Sequence, residues 1–172
     1  ATVAQYQAAL RTVTYTNGAA SPDTTARTVT LVVNDGTSAS NVASRGIAVA
    51  AAPNQRPVVT TSAALAYTAG SGAVPADAGA TVSDADSVTL TRATIAISAN
   101  FTPVEDVLAF ATQNGITGAF DPTTGVLTLT GSATVANYQV ALRSVTYANT
   151  NGAPSKATRT LSIVANDGQA DS

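Results

Sequence analysis

Acidic and amide side chains are the residues in this chain whose types and spacing suggest chemistry. Asp84 and Asp86 lie in the run SDADS just before a predicted strand. Asp167 lies in the Asn-Asp-Gly motif that follows a later strand, and Asp35 lies in an identical motif near the start. Carboxylate, amide and carbonyl oxygens are the ligands that Ca²⁺ prefers. The same residues are the preferred turn formers, so composition alone favours simple turns over ion ligands.

Catalytic residue types are scarce. The chain has no His and no Cys, which excludes His-based triads, the common zinc sites and thiol nucleophiles. Acid–base catalysis by paired carboxylates stays open, with the adjacent Glu105 and Asp106 as its candidates. Neighbours on a strand point to opposite faces, so these two are expected to form a polar loop entering the strand Val107–Phe110. We expect a protein that is not an enzyme.

The charge content excludes several classes of partner. Charged residues make up 10% of the chain, against about 25% in an average protein, and the net charge is −2. Nucleic-acid binding requires a basic surface, which this composition does not provide. The longest stretch of small apolar residues, Gly46–Pro53, is far shorter than the roughly 18 residues that span a bilayer. We therefore expect neither nucleic-acid binding nor membrane insertion.

The chain repeats itself. The segment ATVAQYQAALRTVTY at Ala1 returns as ATVANYQVALRSVTY at Ala133, and the motif ending at Gly36 returns at Gly168, so both are offset by 132 residues. Such self-similarity indicates tandem units. We assign residues 1–55 to the back part of one repeat plus a linker, and 56–172 to one nearly complete repeat. Alone, the first part exposes a sheet edge, so a longer polypeptide or a neighbouring chain is expected to complete it.

The local pattern is mostly β, with Thr, Val and closely spaced turn signals that favour a sandwich. The apolar residues switch from even to odd positions between Leu90 and Ile95, which predicts a bulge near Thr91–Arg92. The pair Asn114-Gly115 predicts a tight turn. The linker Ala51–Pro57 carries two prolines and is expected to be stiff. The predicted strands are Pro57–Tyr67, Val88–Ser98, Val107–Phe110, Ile116–Phe120, Val126–Thr130, Val145–Tyr147 and Arg159–Ala165, with a loop at Ala69–Gly79.

One segment has helical rather than β spacing. Apolar residues recur at Val135, Tyr138, Leu142 and Val145, which predicts a short helix covering one end of the sandwich. Thr134 is the predicted N-cap. In the first copy, Gln5 follows Thr2 by three residues, as in a capping box. Tyr138 and Leu142 are therefore predicted core residues.

The run FDPTTGVLTLTG at Phe120–Gly131, the turn at Asp84–Ser87 and the strand ending VANDG at Gly168 resemble the cadherin-like repeats of giant bacterial surface adhesins. The resemblance covers essentially the whole period. It implies an all-β, Greek-key β-sandwich of the cadherin or immunoglobulin type, with one short helix per repeat here. It also implies a secreted or cell-surface protein whose repeats are joined end to end and often stiffened by calcium.

By the same resemblance, the metal ligands would be Asp84 and Asp86 from one turn, and Asp167, with Asp35 in the other copy, from the strand end. The chain departs from the family in three places. It lacks carboxylates at Leu129–Ser132 and at Tyr67–Gly70, and it has Arg56 in the linker. These departures disfavour a three-ion junction, and the resemblance then implies about one calcium site per repeat.

The leading hypothesis is a structural and adhesive repeat module of a long extracellular protein, acting as a spacer or filament element. Its partners would be neighbouring repeats of the same or an identical chain, and surface glycans or other cells. One alternative is a self-assembling fibre subunit joined by strand exchange, suggested by the partial first unit. Another is a carbohydrate-binding sandwich, which the absence of Trp disfavours.

Overall fold

Strands dominate the chain, as its Thr- and Val-rich sequence predicts. The structure, a computed structural model, describes residues 1–19 and 22–172, and these form two units, 1–53 and 54–172. The described residues include no helix long and apolar enough to cross a bilayer.

The described residues of the 1–53 unit form three elements and no buried core. They are α1 (Val3–Leu10), β1 (Arg27–Leu31) and β2 (Ala43–Ile47), and β1 pairs with β2 in an antiparallel hairpin. None of the described residues of this unit is buried. Thr2 caps α1, and the predicted capping box with Gln5 is confirmed.

The 54–172 unit is a sandwich. Its elements are β3 (Val58–Thr60), β4 (Val74–Pro75), β5 (Thr81–Ser83), β6 (Thr89–Ala99), β7 (Asp106–Ala109), β8 (Thr117–Asp121), β9 (Val126–Thr134), α2 (Val135–Ser144), β10 (Thr146–Asn149) and β11 (Thr160–Asn166). One sheet has the order β11-β6-β9-β8, a second has β4-β10-β7, and β3 pairs with β5. All pairs are antiparallel. Because β6 pairs with β9 and β7 with β10 across intervening strands, the strands interlock as a Greek key. The predicted all-β sandwich is confirmed.

Both sheets and α2 contribute to one hydrophobic core. The register of β6 against β9 shifts between Leu90 and Arg92, where the sequence predicts a bulge. The shift keeps both Leu90 and Ile95 buried. Other fully buried side chains of the core are Leu108, Ile116, Leu127, Leu129, Tyr138 and Val145.

Helix α2 forms the crossover from β9 to β10. The Thr134 hydroxyl accepts the N–H of Asn137, which confirms the predicted N-cap. Tyr138 and Leu142 are buried, as predicted, and the Tyr138 hydroxyl donates to the carbonyl of Gly131 at 2.7 Å. The helix is therefore held by its apolar stripe.

Two local predictions were wrong. The predicted strand Pro57–Tyr67 is a strand only at Val58–Thr60, because Ser62 donates its N–H and its hydroxyl to the carboxylate of Asp77 instead of to a neighbouring strand. The predicted loop Ala69–Gly79 contains the short edge strand β4, whose Pro75 is tolerated at a sheet edge.

The Asn114-Gly115 turn is confirmed. Both residues have positive φ, 51° and 76°, and Gln113 forms a bridge with Ile116. The turn does not join a hairpin, however, since β7 and β8 belong to different sheets.

Candidate metal centre

The turn between β5 and β6 places Asp84 with one oxygen engaged and one without a partner. Its Oδ1 accepts the N–H groups of Asp86 and Ser87 at 3.0 and 2.7 Å. Among the described residues, its Oδ2 is buried and has no hydrogen-bond partner. Buried polar atoms are nearly always paired, so this oxygen is an exception among the described residues.

Asp86 ties the turn to the segment that enters the unit. Its side chain is exposed, and its two carboxylate oxygens accept the backbone N–H of Gln55 at 3.2 and 3.1 Å. The turn and the linker are therefore fixed against each other at this point.

Asn54 ties the same linker to the last turn of the unit. Its Nδ2 donates to Oδ2 of Asp167 at 2.8 Å. Its Oδ1 is the second buried oxygen without a partner in the part of the chain that the structure describes. Asn54 thus links Asp167 to the linker that also binds Asp86.

Asp167 is held mainly by its own turn. Its Oδ1 accepts the N–H groups of Gln169 and Ala170 at 2.6 and 2.7 Å. Burial alone raises the pKa of this carboxyl. The hydrogen bonds from Ala170, Asn54 and Gln169 outweigh burial and lower the pKa below its usual value, so the group is ionised at neutral pH.

Hydrogen bonds tie Asp84 to Asp86 and Asp86 to Gln55, and a separate one ties Asp167 to Asn54, so the three aspartates are linked through adjacent residues of the linker. No three His, Cys, Asp or Glu side chains converge within residues 1–19 and 22–172. The sequence reasoning missed Asn54. The signal was an amide that follows Pro53 in the linker, three residues before Pro57.

Arg56 contributes its positive charge at the last turn of the unit. Its charge acts on Asp171, whose pKa is lowered first by the hydrogen bond from Asn166, then by Arg92 and least by Arg56. Arg92 and Asp171 form an ion pair at 3.1 Å.

Asp35 lies in the same kind of turn without such a network. Its Oδ1 accepts the N–H groups of Ser38 and Thr37 at 2.8 Å each, and these bonds lower its pKa. Its side chain is exposed, and in the described part of the 1–53 unit no asparagine side chain bonds to it. In its own unit, Asp35 therefore acts as a turn residue.

A second polar cluster is centred on Asp106, which is buried. Its Oδ1 accepts from the Tyr147 hydroxyl at 2.6 Å and from Asn149 Nδ2 at 2.7 Å. Its Oδ2 accepts from Thr102 N at 2.8 Å and from Arg159 Nε at 3.1 Å. The carboxylate has its hydrogen-bonding capacity occupied, so the cluster is an anchor between strands rather than a reactive group.

The pKa values follow from this geometry. Burial raises the pKa of Asp106, but the four hydrogen bonds outweigh it and the pKa is lowered. Burial, followed by the bond to Asp106, raises the pKa of Tyr147 to about 12. Glu105 lies in the turn before β7, and its Oε1 accepts from Asn151 Nδ2 at 2.8 Å.

Comparison with known proteins gives one partial similarity. The chain is 37% identical over 105 residues to halomucin of Haloquadratum walsbyi. The match covers 58% of this chain and about 1% of halomucin, so that relative is on the order of 10,000 residues long. No family model and no solved structure matches the chain.

Proposed function

We propose that the chain is a non-enzymatic structural repeat module of a very long protein at the cell surface or secreted from the cell, where it acts as a spacer or filament element. The observation that carries the proposal is that two segments 132 residues apart adopt the same local structure, down to single hydrogen bonds. Asp35 and Asp167 each accept from the residues two and three positions later. The bridge Asn34–Ala39 likewise returns as Asn166–Asp171.

The similarity to halomucin supports both the length and the location of such a protein. A relative on the order of 10,000 residues, of which this chain matches about 1%, is consistent with many successive modules. Its name is that of a mucin, which points to the outside of the cell. Adhesion to glycans or to other cells stays a prediction.

A spacer must fix the direction in which the chain enters each module. The linker residues Asn54 and Gln55 are bonded to the last turn, through Asp167, and to an early turn, through Asp86. Two attachment points on adjacent residues restrict rotation more than a single one does. Proline at position 57 adds a fixed φ.

The oxygens of Asp84, Asp86, Asp167 and Asn54 support the proposal of one calcium site in this unit. The two buried oxygens without partners, on Asp84 and Asn54, supply ligands of the chemistry that Ca²⁺ prefers, and the carboxylates of Asp86 and Asp167 supply charge. A bound ion would supply the positive charge that these oxygens lack. The residues themselves hold the linker and the two turns together.

Small-angle X-ray scattering tests the spacer role. We expect wild type to give a single well-defined maximum dimension and the Asp86→Ala variant to give a broader distribution, because the variant loses both bonds to Gln55. Asp121→Ala is the matched control, since it removes a turn carboxylate far along the chain from the linker. A wild-type chain as flexible as Asp86→Ala would contradict the proposal.

Thermal melting in calcium and then in a chelator tests the ion. A ligand at about 100 times its Kd stabilises the folded state by about 2.7 kcal/mol, which raises the Tm of a unit of this size by roughly 10 °C. Asp84→Asn should abolish the calcium-dependent shift and Asp121→Asn should retain it. Identical melting in calcium and chelator would leave turn formation as the sole role of Asp84.

A further inference from the structure

Asn100-Phe101-Thr102 matches the sequence pattern that accepts N-linked glycans. The pattern is Asn-x-Thr or Asn-x-Ser with any residue except proline in the middle. Every other asparagine of the chain is followed two positions later by a residue other than Ser or Thr, so the pattern occurs once. A three-residue pattern also arises by chance, so the site depends on whether the fold presents this segment at the surface.

The fold places this segment in a turn outside the sheets. β6 ends at Ala99 and β7 begins at Asp106, and the segment between them belongs to no strand. Asn100 is exposed and has a positive φ of 56°, which turns the chain away from the direction of β6. The acceptor asparagine therefore lies where an enzyme reaches it without opening a sheet.

Phe101 anchors the turn to the core. Its ring lies against Gly125, where a Cβ atom would come within 2.8 Å of the ring, and its side chain packs against the hydrophobic core. The residues on either side are held less firmly. Asn100 is exposed, and the Thr102 hydroxyl accepts a long hydrogen bond from Arg159 Nη2 at 3.4 Å. A bond of this length is weak and leaves the hydroxyl available to a transferase.

The side-chain amide of Asn100 keeps a hydrogen for substitution. Nδ2 donates to the carbonyl of Thr158 at 2.7 Å, and a primary amide carries two hydrogens on its nitrogen. Attachment of a sugar replaces one of them and leaves the other for Thr158. The modified residue therefore fits the same turn, and no strand has to move.

Asn100 lies at the end of the sandwich opposite to the candidate metal centre. β11 pairs with β6 so that Thr160 is opposite Ala99 and Asn166 is opposite Arg92. The distance between these two pairs along the strand is about 20 Å. A glycan at Asn100 therefore leaves the linker and the candidate metal centre free.

We propose that Asn100 is an N-glycosylation site, and that its donor is an oligosaccharide joined through phosphate to a membrane lipid. Nδ2 forms a bond to the anomeric carbon of the sugar while the bond from that carbon to the phosphate oxygen breaks. The lipid phosphate leaves with the electron pair, and an amide proton passes to a base of the transferase. The inference rests on the proposed location outside the cell, where this pattern is used. The glycan would add hydration to a chain in which only 10% of the residues are charged.

Export of the chain from a host that N-glycosylates its secreted proteins tests the proposal. The intact mass of exported wild type should exceed the mass of the sequence by one glycan, and peptide mapping should place the sugar on Asn100. Asn100→Gln and Thr102→Val should lose the added mass, whereas Thr102→Ser should retain it because serine supplies the same hydroxyl. Asn114 is the internal control. It is also exposed with a positive φ of 51°, but Ile116 follows it, so it should stay unmodified.

Thermal melting separates loss of the glycan from loss of the fold. Both variants without the glycan should be folded, since Thr102→Val keeps the backbone N–H that donates to Asp106 and Asn100→Gln removes one exposed hydrogen bond. An exported, folded wild type with unmodified Asn100 would overturn the proposal. So would added mass that persists in Thr102→Val. Either result leaves the spacer role to the scattering comparison of wild type with Asp86→Ala, which does not involve Asn100.

Discussion

The two copies of the ATVAxYQxALR segment have nearly the same sequence and the same helix but opposite environments. Thr2 caps α1 and Thr134 caps α2 through the same hydroxyl-to-amide bond. Tyr6 of α1 is 50% exposed, whereas Tyr138 of α2 is fully buried. The N-cap and the helix propensity of the residues therefore specify the helix in both copies. The apolar stripe is buried only in the copy that packs on the sandwich.

The polar cluster centred on Asp106 shows the same contrast between the two copies. Arg159 binds Asp106 and the carbonyls of Ser155 and Ala157. Its counterpart Arg27 keeps the equivalent carbonyl contacts, and its nearest carboxylate is exposed Asp23 at 4.0 Å. The loop geometry is local, and the buried ion pair requires a distant strand.

The largest expected difference between the copies is at the helix tyrosine. Tyr138→Ala empties a fully buried site and should lower the free energy of unfolding of the 54–172 unit by about 4 kcal/mol. Tyr6→Ala should leave it unchanged. Urea denaturation followed by circular dichroism measures both. Tyr138→Phe, which loses only the bond to Gly131, should cost about 1 kcal/mol. Equal effects at the two tyrosines would remove the contrast.

Asp106→Ala should have the next largest effect and lower the free energy of unfolding by about 3 kcal/mol. The reason is that Arg159 and Tyr147 stay buried without their acceptor. Asp23→Ala should have no measurable effect, since that pair is exposed. Chemical denaturation of both variants decides the point. A stable Asp106→Ala protein would mean that water replaces the carboxylate.

The stability of the 54–172 unit should depend on pH through the ionisation of Asp106 and Tyr147. The folded pKa of Tyr147 is raised to about 12, above its ordinary value near 10, so its contribution is complete below pH 10 and is lost as the pH rises towards 12. The loss should not exceed about 3 kcal/mol. The folded pKa of Asp106 is lowered, so its contribution is present above its ordinary pKa and is lost as the pH falls below that.

Stability measured against pH, with Tyr147→Phe as the comparison, separates the tyrosine from other groups. The variant should show a smaller loss between pH 10 and 12. An identical alkaline profile in both proteins would show that other groups govern this range.

The smallest expected effect is at the N-caps. Thr134→Ala should cost about 1 kcal/mol of the unfolding free energy of the 54–172 unit. Thr2→Ala should reduce the helical signal of α1 without changing that transition, because α1 contributes no buried residue. Amide exchange at Asn137 and Gln5 measures each cap separately. A global destabilisation by Thr2→Ala would mean that α1 is packed in solution.

Sequence reasoning worked where structure is encoded locally. The caps at Thr2 and Thr134, the stripe through Tyr138 and the bulge at Leu90–Arg92 all follow from the order of neighbouring residues. The predicted strand Pro57–Tyr67 was too long. The backbone N–H of Ser62 bonds to the carboxylate of Asp77, fifteen residues later, instead of to a neighbouring strand. Such competition by a distant side chain leaves no periodic signal.

The candidate site was predictable in part for the same reason. Asp84, Asp86 and Asp167 are conspicuous as turn motifs, and each does form the expected side chain-to-backbone contacts. Asn54 was missed because its partner lies 113 residues away. The anchor at Asp106 was taken for a loop residue, since its partners Tyr147 and Arg159 come from two other segments.

The turns closed by Asn, Asp, Ser and Thr side chains have a consequence for the medium in which the protein can operate. Dissolved ions screen the interaction between exposed charges that lie further apart than about 10 Å at 0.1 M salt and about 3 Å at 1 M salt. Among the described residues only two ion pairs, Arg27–Asp23 and Arg92–Asp171, are open to such screening, and the third, Arg159–Asp106, is buried. The module should therefore keep its shape from dilute buffer to brine.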